Sequence, residues 1–373
     1  MLSVIRSLGN VHIHAISANN EDVTILPQYE DVTYYPVYNW RVSFLNNIKK
    51  IKMQILSRGI EYLFYHIVGH LDHYMISVYE KEIHEKCKEI IRNNHIDAIF
   101  TVCLRFYTHR IGMKLTKETG IKWLQFWVDP YSNKMEKTSS WWRKEARLVE
   151  KKYFEATDKI YALPEVFKGN LVIDDYRKKL VTFEIPYLDN KSILTTTKDV
   201  VFAGGFIKRV REPEPVLNLL LTILGDIDSD VRFLFYVKDK SVYNKYERAS
   251  NGRICFHDYV NHEELNRVLG GAMMLLNIGN YHSVQMPSKT VEYVSYRKPL
   301  LFFFKDKNDA SLRYLNDYPD ICRICVDDND EINIKKLTEF FSAKHDPITY
   351  DSLMKIREFR ESTPEFIRLQ MEI

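Results

Sequence analysis

The sequence predicts an α/β protein with two domains, each built around a parallel sheet. Its 373 residues are more than one hydrophobic core usually supports, so two domains of about 150 to 200 residues are expected. Helical patterns alternate with short apolar strands, for example at 231–237, and this alternation is typical of parallel βα units. A polar stretch at 189–199 resembles a linker and predicts the boundary between a domain at 1–188 and a domain at 199–349.

Composition and charge exclude several classes of protein. Apolar residues make up 45% of the chain and charged residues 28%, which is ordinary for a globular protein and not for a disordered one. The formal net charge of +3 is too small to predict a nucleic-acid partner. The five scattered cysteines fit a reducing compartment, and the sequence has no apolar run of ~20 residues and no signal peptide. We therefore expect a cytoplasmic protein.

Two patterns have the spacing of metal ligands but do not predict a metal site. Cys322 and Cys325 form a C-x-x-C pair, yet no second pair accompanies them and the residues around them alternate like a strand. His66, His70 and His73 recur near one face of a helix, but the glutamate of the H-E-x-x-H zinc motif is absent. We expect no metal and no cofactor.

A basic helix is predicted early in the chain, after a helix end at 2–8 and a strand at 11–17. Residues 41–58 carry five basic residues and no acidic residue, with apolar residues at helical spacing. Such a helix can lie on an anionic membrane surface, or it can equally pack on its own domain with its lysines in solvent. Both alternatives stay open.

The rest of the first half predicts βα units that end at a carboxylate. A helix at 77–93 leads into a buried strand at 97–103, and a helix at 107–119 leads into a strand at 122–128. Asp129 follows this last strand, at the carboxyl end where open α/β sheets bind ligands. Asp129 is therefore a candidate functional residue, although it could simply cap the following turn.

The second half begins with a pattern that suits an anion. A strand at 200–202 is followed by Gly204 and Gly205, which allow backbone amides to approach a ligand closely. Three basic residues precede the next helix: Lys208, Arg209 and Arg211.

A second anion-binding pattern lies at 283–304, where a polar loop, a short helix at about 288–296 and an apolar strand at 300–304 follow each other. Ser288 is a plausible N-cap of that helix, and Lys289 follows it in the first turn. Amides, helix dipole and ammonium group would then converge on a volume that suits a phosphate. Glu292, one turn later, could accept hydrogen bonds from ribose or sugar hydroxyls.

These residues resemble the donor-site helix of nucleotide-sugar glycosyltransferases with the two-domain GT-B architecture, in the retaining group 1, family 4-like set. The resemblance rests on Pro-Ser-Lys, on Glu-Tyr three residues later, and on the Lys-Pro turn into an apolar strand. It covers most of the chain and is strongest over 200–304. It implies two Rossmann-like domains facing a cleft, with 1–188 on the acceptor side, 199–349 binding the donor, and a helix at 350–373 returning to the first domain.

The resemblance also implies roles for the candidate residues. Ser288, Lys289 and the basic residues after Gly204-Gly205 would bind the donor diphosphate, and Glu292 the ribose. Lys289 and Asp129 would carry catalytic roles, at the leaving group and on the sugar side. The implied enzyme is a metal-independent, retaining hexosyltransferase of surface polysaccharide synthesis, using a glycan or lipid-linked acceptor, in the cytoplasm or peripheral on the inner face of the membrane through 41–58.

Three departures from the family pattern keep other functions open. Family members begin with a strand and a Gly-rich loop that this chain lacks at its start, so its first domain is expected to miss its first strand. Val284 and Val128 replace a common glutamate and a common histidine. These differences favour a non-catalytic partner of an active transferase as an alternative, and a nucleotide-sugar epimerase is a second alternative.

Overall fold

The computed structural model describes the chain in segments that form two compact units. The described residues are 11–17, 29–37, 80–102, 107–128, 131–132, 140–168, 170–185, 188–191, 194–207, 210–238, 240–281 and 286–370. The first unit comprises Met1–Phe183 with Gln370–Ile373, and the second comprises Glu184–Leu369. The basic segment 41–58 and the three histidines at 66, 70 and 73 lie outside the described residues. The predicted domain boundaries and the predicted return of the C-terminal helix remain predictions.

The first unit is built on parallel sheets. Its elements are β1 (Ile13–Ser17), β2 (Val32–Pro36), α1 (Glu80–Asn93), β3 (Ala98–Val102), α2 (Tyr107–Thr119), β4 (Lys122–Trp127), α3 (Ser140–Ala156), β5 (Lys159–Ala162), a 3-10 helix (Ile173–Lys179) and β6 (Leu180–Thr182). The strand β1 pairs with β2, and β3, β4, β5 and β6 form a four-stranded sheet in that order, all parallel. Residues 1–10, on which the expected absence of a first strand depends, are not among the described residues.

Close packing of a helix on the sheet fixes the core of the first unit. The strand β4 is buried on both faces, as parallel strands covered by helices usually are. Trp123 of β4 donates its indole N–H to Thr101 Oγ1 at 2.8 Å. A Cβ atom at Gly112 of α2 would lie 2.4 Å from that indole nitrogen, so only glycine allows this approach.

The second unit contains a six-stranded parallel sheet. Its elements are β7 (Asp199–Ala203), α4 (Glu214–Ile223), β8 (Arg232–Tyr236), a 3-10 helix (Lys240–Tyr243), α5 (Asn244–Ala249), β9 (Ile254–His257), α6 (His262–Gly271), β10 (Met274–Ile278), α7 (Ser288–Val294), β11 (Leu300–Phe304), α8 (Ala310–Tyr314), β12 (Ile321–Cys325), α9 (Asp330–Ser342), α10 (Tyr350–Met354), α11 (Arg357–Arg360) and α12 (Pro364–Gln370). The strand order is β12-β11-β10-β7-β8-β9. The chain therefore builds outward from β7 in one direction and then resumes at β10 in the other, and the order reverses between these two strands.

The core of the second unit holds β7 and β10 rigidly at this reversal. Every residue of both strands is buried. Leu217 and Leu220 of α4 and Leu337 of α9 are fully buried in the same hydrophobic cluster as the apolar residues of the central strands. At about 25 cal/mol per Å² of apolar surface, each such side chain contributes about 2 kcal/mol.

The segment that precedes β7, which we call the connecting segment (188–191 and 194–197), is fastened to the second unit. The Leu188 N–H donates to the Ser362 carbonyl at 3.1 Å, and the Thr196 N–H donates to the Gly271 carbonyl at 2.9 Å. These bonds make the polar stretch an ordered part of the second unit.

None of the helices in the described part of the chain has the length and apolar character that a bilayer span requires.

Candidate functional site

The elements that carry the described candidate residues of the second half adjoin where the strand order reverses. The strand β7 ends at Ala203 and continues into Gly204-Gly205, and β10, its neighbour, leads through a loop to α7. The carboxyl ends of neighbouring parallel strands lie at the same edge of a sheet, and open α/β sheets bind ligands in the crevice at the reversal. The predicted helix at 288–296 is confirmed, as α7.

The predicted N-cap role of Ser288 is wrong. Pro287 occupies the N-cap position, with φ −63° and ψ 131°, and no side chain caps the helix. Ser288 is the first residue of α7, and an N-cap hydroxyl needs the non-helical backbone that Pro287 has instead. The Ser288 side chain is exposed at the start of the helix.

Two lysines flank Glu292 on α7. Lys289 Nζ lies 2.6 Å from Glu292 Oε2, and Lys191 Nζ lies 3.7 Å from Glu292 Oε1, which is an ion pair and not a hydrogen bond. The Lys289 side chain is 32% exposed and that of Glu292 is 17% exposed, so the triad is partly open to solvent. The charge of Asp189 also acts on Lys191, so the more exposed Lys289 is the cation of this triad that best suits an anionic ligand.

Lys191 is a residue that the sequence did not indicate. It belongs to the connecting segment, and its ammonium group donates to Tyr296 Oη at 2.8 Å and to Asn266 Oδ1 at 3.0 Å. Burial lowers the Lys191 pKa, and the attraction of Glu292 opposes this effect. A lysine in a polar stretch carries no pattern that distinguishes it from a solvated one, so only the folded chain brings it to Glu292.

The loop after β7 partly buries Arg211. Antiparallel backbone hydrogen bonds join Ile207 and Arg211, at 3.1 and 2.7 Å, and close the loop. Arg211 donates to the Asn280 side-chain oxygen at 2.7 Å and to the Gly205 carbonyl at 3.2 Å. Its Nε atom has no hydrogen-bond partner among the described residues, and burial lowers the Arg211 pKa. A half-buried guanidinium with an unused donor is suited to an anionic ligand. Lys208 and Arg209 lie outside the described residues.

Asp309 packs against Gly279, the residue that directly follows β10. It caps α8 by accepting the Ser311 N–H at 2.7 Å. Burial raises its pKa to about 6, although hydrogen bonds from Ser311 and the charge of Arg211 act in the opposite direction. A Cβ atom at Gly279 would lie 2.0 Å from Asp309 Oδ2, so this glycine is required for the carboxylate to pack there.

Tyr293 joins the two halves of the candidate site. Its side chain is buried, and its hydroxyl accepts the Ala203 N–H at 2.7 Å and donates to the Ala203 carbonyl at 3.2 Å. Ala203 is the last residue of β7, directly before Gly204. Tyr293 therefore holds α7, with Lys289 and Glu292, in a fixed position relative to the glycine loop.

Asp129 lies outside the described residues. A buried carboxylate of the first unit, Glu150, holds Ser132 in place. Glu150 of α3 accepts the Ser132 N–H at 2.9 Å and the Ser132 hydroxyl at 2.7 Å. The Asn170 amide also donates to Glu150, at 3.0 Å. Burial raises the Glu150 pKa, against these hydrogen bonds. Glu150 thus holds Ser132 in place, a role the sequence did not indicate.

His109 is a second buried group near the end of β4. Its imidazole lies against Trp127, with ring centroids 4.8 Å apart, and its Nδ1 atom is 2.7 Å from Thr101 Oγ1. Complete burial lowers the His109 pKa to about 3, so the ring is neutral at pH 7.

Comparison with solved structures gives matches over nearly the whole chain. A sucrose-phosphate synthase from Thermosynechococcus elongatus matches 99% of this chain and 89% of its own length, with a TM-score of 0.60 and 12% identity. A UDP-forming α,α-trehalose-phosphate synthase from Burkholderia xenovorans matches 99% of this chain and 95% of its own length, with a TM-score of 0.60 and 10% identity. A candidate UDP-N-acetylglucosamine 2-epimerase from Listeria monocytogenes matches 78% of this chain and 77% of its own length, with a TM-score of 0.51 and 11% identity.

Sequence comparisons add nothing to these matches. No protein-family model matches the chain, and a search of curated proteins found no match. Identities of 10 to 12% show a common fold only. With its parallel α/β domains and full-length structural matches, the chain has the GT-B fold that its motifs predicted.

Proposed function

We propose that the chain is a glycosyltransferase that takes its sugar from a nucleotide-diphosphate donor. The observation that carries this proposal is the pairing of Lys289 and Lys191 with Glu292 on α7, next to the loop after β7 that holds Arg211, where the strand order reverses. A diphosphate is the anion that these cations fit, and the ribose hydroxyls of a nucleotide are suitable donors for Glu292.

The chemical task of these residues is to stabilise a leaving group. As the bond from the anomeric carbon to the diphosphate breaks, negative charge grows on the phosphate oxygens, and fixed cations stabilise it more in the transition state than in the ground state. The Lys289 ammonium has three N–H donors, so it can bind a phosphate oxygen while keeping its ion pair with Glu292. Arg211 can add its unused Nε donor, and the loop amides at Gly204 and Gly205 can add more.

The finer assignments belong to the same proposal. Asp129 acts on the sugar side, Lys208 and Arg209 assist at the diphosphate, and Ser288 contacts a phosphate from the start of α7. The transfer retains anomeric configuration, needs no metal, and serves a glycan or lipid-linked acceptor in surface polysaccharide synthesis at the cytoplasmic face of the membrane. UDP-sugars are the first donors to test, because one matching synthase is named UDP-forming.

Thermal unfolding with UDP-, GDP- and dTDP-sugars tests donor binding. A donor at 100 times its dissociation constant should stabilise the protein by about 2.7 kcal/mol. Lys289→Ala should lose that stabilisation, whereas Lys198→Ala should keep it, because Lys198 pairs with Asp228 and Asp230 on the surface. Donor hydrolysis or transfer that Lys289→Ala abolishes would exclude a non-catalytic partner, and no stabilisation by any donor would favour that alternative.

A nucleotide-sugar 2-epimerase is the second candidate, favoured by the match to the candidate epimerase from Listeria monocytogenes. The same residues would bind the same nucleotide diphosphate in either enzyme. Incubation with the donor and no acceptor separates the two enzymes. An epimerase converts the donor into a nucleotide sugar of different configuration, whereas a transferase leaves the donor unchanged or hydrolyses it.

A further inference from the structure

One face of α3 in the first unit is basic and exposed. Lys144, Arg147, Leu148 and Lys151 are spaced three, four and seven residues apart, so they lie on the same side of the helix. All four are exposed, whereas Ala146 and other residues of the helix are buried against the unit.

This face and the chain at 171–175 line an open groove, which we call the α3 groove. Leu148 is 45% exposed and Leu171 is 68% exposed, which are large fractions for leucines. Both leucines line this groove. Asp175 also lines the groove and adds one carboxylate to its lining. Lys151 Nζ lies 3.9 Å from Glu155, but both side chains are more than half exposed, so this pair is weak.

We propose that the α3 groove docks on an anionic membrane surface. An anionic bilayer offers negative headgroups to Lys144, Arg147 and Lys151, and it offers an apolar boundary just beneath them to Leu148 and Leu171. Long basic side chains reach the headgroups while their stems cover apolar surface. A soluble phosphate would satisfy the cations and leave both leucines in water, so the combination favours a lipid surface.

The proposal goes beyond donor binding, because it uses other residues and needs neither donor nor acceptor. It is also separate from the expected membrane contact through 41–58. In this docking mode, the basic side chains and the exposed leucines of the α3 groove contact the same membrane surface.

Cosedimentation of the full chain with vesicles tests the proposal. We expect binding to phosphatidylcholine vesicles that contain phosphatidylglycerol, little binding to phosphatidylcholine alone, and weaker binding at high salt. Each neutralised cation should lower the partition coefficient about five-fold, so Lys144→Gln, Arg147→Gln and Lys151→Gln together should lower it about a hundred-fold. A second variant, with Leu148→Ser and Leu171→Ser, should weaken binding while leaving the charge unchanged.

The matched control neutralises three lysines of the second unit. Lys335→Gln, Lys336→Gln and Lys344→Gln remove the same charge from another exposed surface, and this variant should bind vesicles like the wild type. Circular dichroism verifies that each variant is folded. Equal loss in both triple variants, or no loss in the α3 variant, would overturn the proposal. Binding that inorganic phosphate displaces, and that the leucine variant leaves unchanged, would also overturn it and assign a phosphate site.

Discussion

Replacing Lys191 with methionine tests whether the connecting segment takes part in donor binding. At 3.7 Å and an effective dielectric constant of about 20, the attraction between Lys191 and Glu292 is about 4 kcal/mol before desolvation is subtracted. Burial of the ammonium group, which lowers its pKa, offsets most of this energy. Methionine keeps most of the apolar stem but loses the hydrogen bonds to Tyr296 and Asn266, so we expect the free energy of unfolding to fall by about 1 kcal/mol.

The effect on binding should be larger than the effect on stability. A charged hydrogen bond to a phosphate is worth about 1.5 to 3 kcal/mol, and an ammonium group that acts partly through Glu292 should contribute at the lower end. We therefore expect Lys191→Met to raise the dissociation constant of UDP about ten-fold, measured by isothermal titration calorimetry. The change should be smaller for uridine, because uridine carries no phosphate.

Lys198→Met is the matched control for this substitution. Lys198 also precedes β7, but it is 51% exposed and pairs with surface carboxylates, so its replacement should leave UDP binding unchanged. If Lys191→Met bound UDP as tightly as the wild type while Lys289→Met did not, the connecting segment would have no part in donor recognition.

Three further substitutions test how the site is held together. Tyr293→Phe should lower the free energy of unfolding by about 1 to 3 kcal/mol, measured by urea denaturation, because both polar groups of Ala203 lose a buried partner; an unchanged midpoint would contradict this role. Gly279→Ala should destabilise the protein by more than about 2 kcal/mol in the same assay, since its Cβ overlaps Asp309, whereas Gly225→Ala meets no atom within 4 Å and should have little effect. The raised pKa of Asp309, about 6, means that the folded state holds this proton more tightly, so its contribution is complete below about pH 4 and is lost as the pH rises through 6. Asp309→Asn should therefore gain up to about 3 kcal/mol relative to the wild type between pH 4 and pH 7, and a difference that does not vary with pH would refute the assignment.

The sequence predicted the fold well because its signals are local. Apolar runs such as 231–237 and the alternation of helices and strands follow directly from burial on both faces of parallel strands. The helix at 288–296 was also predicted, but its N-cap was not. Serine and proline both favour helix starts, and only the backbone angles of Pro287 decide between them.

The site was predicted in part, because some of its members are brought together by tertiary contacts. Lys289 and Glu292 lie one turn apart on one helix, so their pairing could be read from spacing. Lys191 reaches Glu292 across a large separation in sequence, and no local pattern encodes that contact. Glu150 likewise carries no local sequence signal for its role, although it is buried and fixes Ser132.

The fastening of the connecting segment determines where the second unit can be cut from the chain. A fragment that began at Asp199 would leave Tyr296 and Arg297 without the groups at 190–191 that they bind. A fragment that began at Glu184 would keep them, and it would also keep the buried carboxylate that Arg313 contacts at 2.7 Å. The connecting segment has the composition of a dispensable linker, but it is part of the second unit. Removing it would also remove Lys191 from the candidate site.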